Sequence, residues 1–142
     1  MLLVSEIINN VDKISSLMSK RNIDVKSKLD KIIETDKLRR STQSNLDDVL
    51  SKSNKLAKDI GGLFKSGEIK KATLLKEKAG NLKTKSKNLS LKLSTISSEL
   101  NSLLIEIPNT PNELVPMGSK EEDNLEIFVH GDIPELNERA LP

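Results

Sequence analysis

A run of residues spaced alternately three and four positions apart constrains the fold of this chain more than any other feature. It continues from Ala72 to Ile107, and Pro108, which cannot continue a helix, ends it. Its members are Ala72, Leu75, Ala79, Leu82, Ser86, Leu89, Leu93, Ile96, Leu100, Leu103 and Ile107. Sustained spacing of this kind is the seam of a coiled coil, so residues 69–107 are predicted to form one long helix that packs against another.

The partner helix is predicted over residues 25–65, which contain no proline and have glycine only at Gly61 and Gly62. Only Ser66-Gly67-Glu68 separates the two helices, so they must form an antiparallel hairpin. The apolar positions of the helix over residues 25–65 are Leu46, Val49, Leu50, Leu56, Ala57, Ile60, Leu63 and Phe64, with Ser53 in one gap. Counting outward from the turn predicts the pairs Phe64–Ala72, Ala57–Ala79 and Leu50–Ser86. Forty residues would give an arm about 60 Å long.

The base of this hairpin requires a third helix. Between Ile33 and Leu46 the first long helix offers only Leu38 as a large apolar group, whereas the facing part of the second is rich in Leu and Ile. A short amphipathic helix over residues 4–20 can cover that part through Ile7, Val11, Ile14 and Met18. The predicted fold is therefore all-α: a long antiparallel two-helix coiled-coil hairpin rooted on a short N-terminal helix, followed by a short extended linker.

The composition agrees with a narrow helical seam and excludes several classes of protein. Aromatic residues make up 1% of the chain, namely Phe64 and Phe128, so no thick core is expected. The absence of cysteine excludes disulfides and thiolate metal sites and fits a reducing compartment. Because the N-terminus lacks a secretory signal and no stretch is long enough to span a bilayer, we expect a cytoplasmic protein without a membrane partner.

Charge is divided unevenly along the predicted hairpin. Twelve lysines and three acidic residues lie between Lys52 and Lys92, a net charge of +9, while the rest of the chain carries −7. Lysines beside a seam can simply cover it with their stems, but such lysines usually alternate with glutamate, and here acids are nearly absent. The excess favours a polyanionic partner. The predicted contact residues are Lys55, Lys58, Lys65, Lys70, Lys71, Lys76, Lys78, Lys83, Lys85, Lys87 and Lys92.

Structured RNA is the polyanion that this pattern favours. A membrane surface would require free apolar residues beside the lysines, and single strands would require stacking platforms, which this arm almost lacks. Phosphates and shape are the features by which proteins recognise folded RNA. The lysines form two stripes, Lys71, Lys78, Lys85 and Lys92 on one side of the seam and Lys76, Lys83 and Lys87 on the other. One RNA can lie against only one side, and the sequence leaves open which.

Two segments carry a resemblance to a known family. In "TDKLRRSTQSNLDDVLSKSNKLAKDIG", residues 35–61, the matching positions are Asp36, Arg39, Arg40, Gln43, Asn54, Lys58, Ile60 and Gly61. The second segment, "IPNTPNELVPMGSKEEDN", covers residues 107–124. Together they resemble the N-terminal arm of seryl-tRNA synthetases, which are class II aminoacyl-tRNA synthetases. The chain departs from the family pattern at three positions, where Thr35 and Thr42 replace usual leucines and Ser53 replaces a common arginine.

The resemblance implies that residues 1–118 are a tRNA-binding helical arm domain and that residues 119–142 are a linker toward a missing catalytic domain. In that family the arm lies between the TψC side and the long variable arm of serine tRNA, and the enzyme is a homodimer. The full-length enzyme would be an ATP-dependent serine–tRNA ligase that uses ATP and Mg²⁺. This chain alone would have no catalytic residue, metal site or cofactor.

The residues leave two other classes of function open. A structural or chaperone-type coiled-coil hairpin would bind protein partners without depending on the lysine stripes. A free-standing enzyme would need a nucleophile with its base or a phosphate-binding loop, and the chain offers neither. The sole histidine, His130, and the acidic run at residues 120–124 are interpreted as surface features, because neither has the spacing of a metal site.

Overall fold

A computed structural model describes residues 2–132 of the chain. The helices in chain order are α1 (Val4–Asn9), α2 (Val11–Ser19), α3 (Lys26–Lys65) and α4 (Ile69–Ile105), followed by a 3₁₀ turn at Glu121–Asp123. The described residues contain no β-strand, and α3 and α4 pack along their length as a hairpin. The predicted all-α hairpin is thereby confirmed. The predicted linker extends to residue 142, and its part from residue 133 onward lies outside the described residues.

The seam on α4 follows the predicted spacing. All eleven predicted positions are buried or half-buried. Leu104 is the one other residue of α4 that is not exposed, and it lies outside the three–four spacing. Ser86 occupies a seam position although it is polar, and its hydroxyl donates to the carbonyl oxygen of Lys83 at 2.9 Å. A hydroxyl that bonds its own helix can sit in a half-buried seam without an unpaired polar group.

The three pairs predicted between α3 and α4 are wrong, because the α3 residue in each pair is exposed and the residue before it in the sequence is turned inward. Leu50 and Phe64 are 44% and 50% exposed and Ala57 is also exposed, so none of the three forms the centre of the seam. The side chains that turn inward are their neighbours Val49, Ser53, Leu56, Ile60 and Leu63. The apolar stripe of α3 is two residues wide here, and the rotation of the helix against α4 buries only one edge of it.

The chain reverses at the predicted turn. Gly67 has φ +79°, a left-handed conformation that glycine adopts without steric cost. The N–H of Glu68 donates to the carbonyl oxygen of Leu63 at 2.9 Å, and that of Ser66 donates to Gly62 at 3.1 Å. This arrangement satisfies carbonyl groups at the end of α3 that have no partner within the helix.

The root of the hairpin has a core to which three parts of the chain contribute. The buried cluster contains Ile7, Ile14 and Met18 from the short helices, Val25, Leu29 and Ile32 at the start of α3, Leu100 and Leu104 at the end of α4, and Ile107, which lies two residues beyond α4. The predicted N-terminal helical cover is therefore present. Ile96 is also buried but lies outside this cluster, so the cover reaches less far along the arm than expected.

The single helix predicted over residues 4–20 is instead two helices, α1 and α2. Asn10 lies between them with φ −137° and ψ 32°, which is not helical. Its side-chain amide donates to the carbonyl oxygen of Glu6 at 3.1 Å, and its own carbonyl accepts from the N–H of Ile14 at 2.9 Å. Asparagine offers the backbone such local alternatives to helix, which explains the break.

The residues after α4 return along the short helices, and we call residues 107–123 the C-terminal strap. The ammonium of Lys20 donates to the carbonyl oxygens of Glu113 at 2.6 Å and Val115 at 3.1 Å. The N–H of Gly118 donates back to the carbonyl oxygen of Lys20 at 3.2 Å. Most of the second segment that carries the family resemblance thus forms the strap that closes the root.

Candidate nucleic-acid interface

The eleven lysines predicted to contact RNA are all exposed on the arm, beyond the core of the root. Lys71 alone among them has an acidic partner in residues 2–132, because its ammonium pairs with the carboxylate of Glu68. The remaining ten lack an ion pair within the described part of the chain. Lysines without intramolecular partners repel one another, and a polyanion would relieve that repulsion.

The cations of the root behave differently from those of the arm. Lys13 pairs with Glu113, Lys28 with Glu106 and Lys31 with Glu99, at N–O distances of 2.6, 2.8 and 3.6 Å. These pairs lower the pKa of Glu113 and Glu106, chiefly through the hydrogen bonds from Lys13 and Lys28 respectively. These three lysines of the root are therefore neutralised by neighbouring carboxylates, whereas most of the positive charge of the arm is available to a partner.

The two lysine stripes lie on opposite sides of the hairpin seam. Lys78, Lys85 and Lys92 each directly precede a seam residue of α4, while Lys76 and Lys83 each directly follow one. On a helix, positions before and after a seam residue fall on opposite flanks. The structure therefore separates the two stripes that the sequence predicted.

A shallow groove joins α3 to the first of these stripes. It is lined by Lys52, Leu56, Lys78, Asn81, Leu82 and Lys85, and therefore includes residues of both helices. A second groove continues along α4 and is lined by Asn81, Thr84, Lys85, Asn88, Leu89 and Lys92. We call the surface formed by Lys52, Lys78, Asn81, Lys85, Asn88 and Lys92 the lysine–asparagine face.

Three residues of this face were not among the sequence predictions. Lys52 is absent from the predicted contact residues. It directly precedes the seam residue Ser53, which places it on the same flank as Lys78 in an antiparallel pair of helices. Asn81 and Asn88 are seven residues apart and alternate with the lysines, a repeat visible in the sequence. Their neutral side chains carry no charge signal, so counting lysines could not identify them.

The opposite flank has a different chemical character. It carries Lys76 and Lys83, with Lys87 beside them, and on α3 it carries Leu50 and Phe64, which directly follow the seam residues Val49 and Leu63. Both apolar side chains are about half exposed. Positive charge is thus interrupted by apolar surface on this flank, which we call the mixed face. On the other flank the exposed Leu74 lies on the turn side of Lys78, outside the lysine–asparagine face.

A buried carboxylate lies where the root passes into the arm. Asp36 is 2% exposed, and its Oδ1 accepts from Nε and Nη2 of Arg39 at 3.0 and 2.8 Å. Its Oδ2 pairs with Nε of Arg40 at 2.6 Å. Arg39 and Arg40 lie three and four residues after Asp36 on the same helix, so these contacts hold both arginine side chains against the surface of α3. Three of the matching positions of the first family segment, Asp36, Arg39 and Arg40, thus form a structural cluster.

The described residues offer neither a metal site nor a membrane-spanning helix. Among residues 2–132, no three His, Cys, Asp or Glu side chains lie close enough together to hold a metal ion. None of the helices in this range is both long enough and apolar enough to cross a bilayer.

Comparison with known proteins gives consistent results. Residues 1–111 match the family model for the seryl-tRNA synthetase N-terminal domain. The serine–tRNA ligase of Salinibacter ruber is 32% identical over 142 residues, covering 100% of this chain and 33% of that protein. The serine–tRNA ligase of Nautilia profundicola is 39% identical over 131 residues, covering 92% of this chain and 31% of that protein. The chain therefore spans about a third of the length of these relatives.

A solved structure shares the fold. The crystal structure of seryl-tRNA synthetase from Pyrococcus horikoshii complexed with ATP matches with a TM-score of 0.78 and 24% sequence identity. The match covers 89% of this chain and 28% of that chain. The hairpin with its root thus has a counterpart as one part of a larger protein.

Proposed function

The chain belongs to the seryl-tRNA synthetase N-terminal domain family, and from this premise we propose that it binds tRNA through the outer part of its helical arm. The observation that carries the proposal is the row of exposed arm lysines, ten of which have no acidic partner within residues 2–132, set on a projecting two-helix hairpin. Such a surface recognises a folded RNA through phosphates and shape, because it offers many cations and almost no aromatic platform.

The distribution of charge supports one orientation of the RNA. The segment from Lys52 to Lys92 carries a net charge of +9 and the rest of the chain carries −7. A phosphate backbone is attracted to the arm and repelled from the acidic remainder, so it docks along the arm. The root core and the strap hold the base of the hairpin and thereby keep the projecting arm in place.

The proposed ligand is serine tRNA, contacted on its long variable arm and its TψC side. In this proposal the chain acts as the tRNA-binding domain of a serine–tRNA ligase, a cytoplasmic homodimer that consumes ATP with Mg²⁺. Residues 2–132 contain no group of side chains suited to hold a metal ion, and we assign no step involving ATP or Mg²⁺ to them. Their part is to bind and orient the RNA.

The test compares two tRNAs with the 142-residue chain at near-physiological salt. We expect a serine tRNA transcript with its long variable arm to bind at least about tenfold more tightly than a tRNA with a short variable loop. Exchanging base pairs within the variable stem should matter little, whereas deleting the stem should weaken binding strongly. With about five phosphates neutralised, log K should fall against log salt with a slope on the order of −4.

The alternative function is a structural or chaperone-type hairpin that binds proteins. The exposed apolar residues of the mixed face, Leu50 and Phe64, are the observation in its favour. Equal affinity for the two tRNAs in this comparison would contradict the proposed function and leave a generic basic coiled coil.

A further inference from the structure

We propose that the RNA lies against the lysine–asparagine face of the arm, and that this face follows an RNA backbone with alternating lysine and asparagine contacts. The inference rests on the proposed function and adds to it the side of the arm and the residues that recognise the RNA. Lysines would contact phosphates, and asparagines would contact ribose hydroxyl groups or the phosphate oxygens between them.

The free positive charge on this face is concentrated in the middle of the arm. Lys52, Lys78, Lys85 and Lys92 form no ion pair within residues 2–132. Nearer the turn, Lys71 is paired with Glu68. Asp59 directly precedes the seam residue Ile60 and so lies on the same flank as Lys52. Asp48, which directly precedes the seam residue Val49, lies on this flank on the root side of Lys52, so the acids of α3 border the flank at both ends and the binding surface is centred on the α4 lysines between Lys78 and Lys92.

The spacing of the side chains on α4 suits a single backbone. Lys78, Lys85 and Lys92 are seven residues apart, which places successive ammonium groups about 10 Å apart along the helix axis. Asn81 and Asn88 fall between them, so cationic and amide groups alternate along the face. An amide provides two donors and one acceptor, which can bond a ribose 2′-hydroxyl in either direction. The 2′-hydroxyl is the group that distinguishes RNA from DNA.

Both helices contribute to this surface. Lys52 of α3 lines the same groove as Lys78 and Lys85, so cations border the groove on two sides. A phosphate placed over the groove would meet ammonium groups from α3 and α4 together. This convergence depends on the register of the hairpin, which distinguishes it from a row of lysines on an isolated helix.

The mixed face is a poorer surface for a phosphate backbone. Leu50 and Phe64 would be covered by charged or hydroxylated groups that give an apolar side chain no favourable contact. The residues of α4 between its lysines are also small, with Gly80 between Lys76 and Lys83. On α4 this face has no amide side chain between its lysines Lys76, Lys83 and Lys87, and its asparagine, Asn54, lies on α3.

The experiment compares two sets of three substitutions that remove the same charge. Lys78, Lys85 and Lys92 are changed to Gln in one variant, and Lys76, Lys83 and Lys87 are changed to Gln in the matched control. Both are measured against the serine tRNA transcript across a range of salt concentrations. We expect the first variant to bind at least about tenfold more weakly at near-physiological salt, with its salt slope reduced by about three, while the control changes little.

A neutral double variant tests the asparagines separately. Replacing Asn81 and Asn88 by Ala should weaken binding without changing the salt slope, since no charge is removed. The control replaces Ser90 and Ser94, polar positions outside the lysine–asparagine face, by Ala and should bind like the wild type. Helical circular dichroism of every variant should match that of the wild type, since all these positions are exposed.

The outcomes distinguish the two proposals. If the wild type prefers serine tRNA but the two lysine variants lose affinity equally, the assigned face is wrong and the proposed function stands. Greater loss in the control variant also overturns the assignment. If the wild type itself does not distinguish the two tRNAs, the proposed function fails and this inference fails with it.

Discussion

The ammonium of Lys28, near the start of α3, and the carboxylate of Glu106, just after α4, form an ion pair with an N–O distance of 2.8 Å. A second pair, Lys31 with Glu99 at 3.6 Å, follows further along the arm. Both are substantially exposed, and such surface pairs contribute only about 0–1 kcal/mol each. They indicate the register of the hairpin, while the packing of the root cluster determines it.

The first prediction concerns the different burial of the root and the arm. Replacing Leu100, which is 7% exposed in the root cluster, by Ala should lower the free energy of unfolding by about 2–5 kcal/mol. The same change at Leu82 should cost less, because this residue is only half-buried between two helices. Ile96 is also buried, and Ile96→Ala should resemble Leu100→Ala. Urea denaturation measures all three, and equal losses would contradict a three-part root.

The second prediction concerns the buried carboxylate of Asp36. Replacing it by Asn keeps the shape but removes the charge that accepts from Arg39 and Arg40, so we expect a loss of about 1–3 kcal/mol in stability. The matched control is Asp47→Asn on the same helix. Asp47 is exposed and accepts a hydrogen bond from the neutral side chain of Gln43, so its replacement should change the stability by no more than about 0.5 kcal/mol. Thermal or urea denaturation would disprove the role of Asp36 if both variants behaved alike.

The third prediction concerns the turn between α3 and α4. Gly67→Ala should destabilise the hairpin by about 1–2 kcal/mol, because alanine is strained at φ +79°. The control is Gly80→Ala within α4, where no atom lies within 4 Å of the added Cβ. This change should stabilise the helix by about 0.5–1 kcal/mol. The two substitutions should change the free energy of unfolding, measured by denaturant melts, in opposite directions. If Gly67→Ala left the free energy of unfolding unchanged, the turn would have relaxed to accept alanine.

The fourth prediction concerns the pH dependence of the strap. The backbone N–H groups of Ser119 and Lys120 donate to Oδ2 of Asp123 at 2.8 and 3.0 Å, and they hold the pKa of this carboxyl below its ordinary value of 3.8. A lowered pKa in the folded state means that the stabilising contact is present at neutral pH. It is lost as the pH falls below 3.8 through the folded-state pKa.

Titration by nuclear magnetic resonance would check this prediction. The amide signals of Ser119 and Lys120 should move with the Asp123 carboxyl as the pH falls, with a midpoint below 3.8. In Asp123→Asn these signals should lose that transition. A midpoint at or above the ordinary value would mean that the backbone contacts do not persist in solution. Gly118→Ala should disturb the same signals, because its Cβ would overlap the Asp123 side chain.

Much of the candidate interface could be predicted from the sequence because charge and period are visible there. The exposure of the eleven lysines and the division of seven of them into two stripes follow from their places beside a regular seam. The sequence could not show that Lys71 is paired while Lys78 and Lys85 have no acidic partner within the described residues. It also could not show that Lys52 approaches the stripe of Lys78 and Lys85, since that depends on how two helices are aligned across the turn.

The sequence by itself determined the hairpin, its turn and the seam of α4, because one strict three–four repeat allows only one face of that helix to be buried. The tertiary structure alone decided the rotation of α3, where both Val49 and Leu50 could have faced inward and only packing against α4 selects Val49. It also decided that Asp36 is buried with its arginines and that the strap returns to Lys20. These features depend on contacts between distant segments or on the space left by a neighbouring helix, and local periodicity carries no information about either.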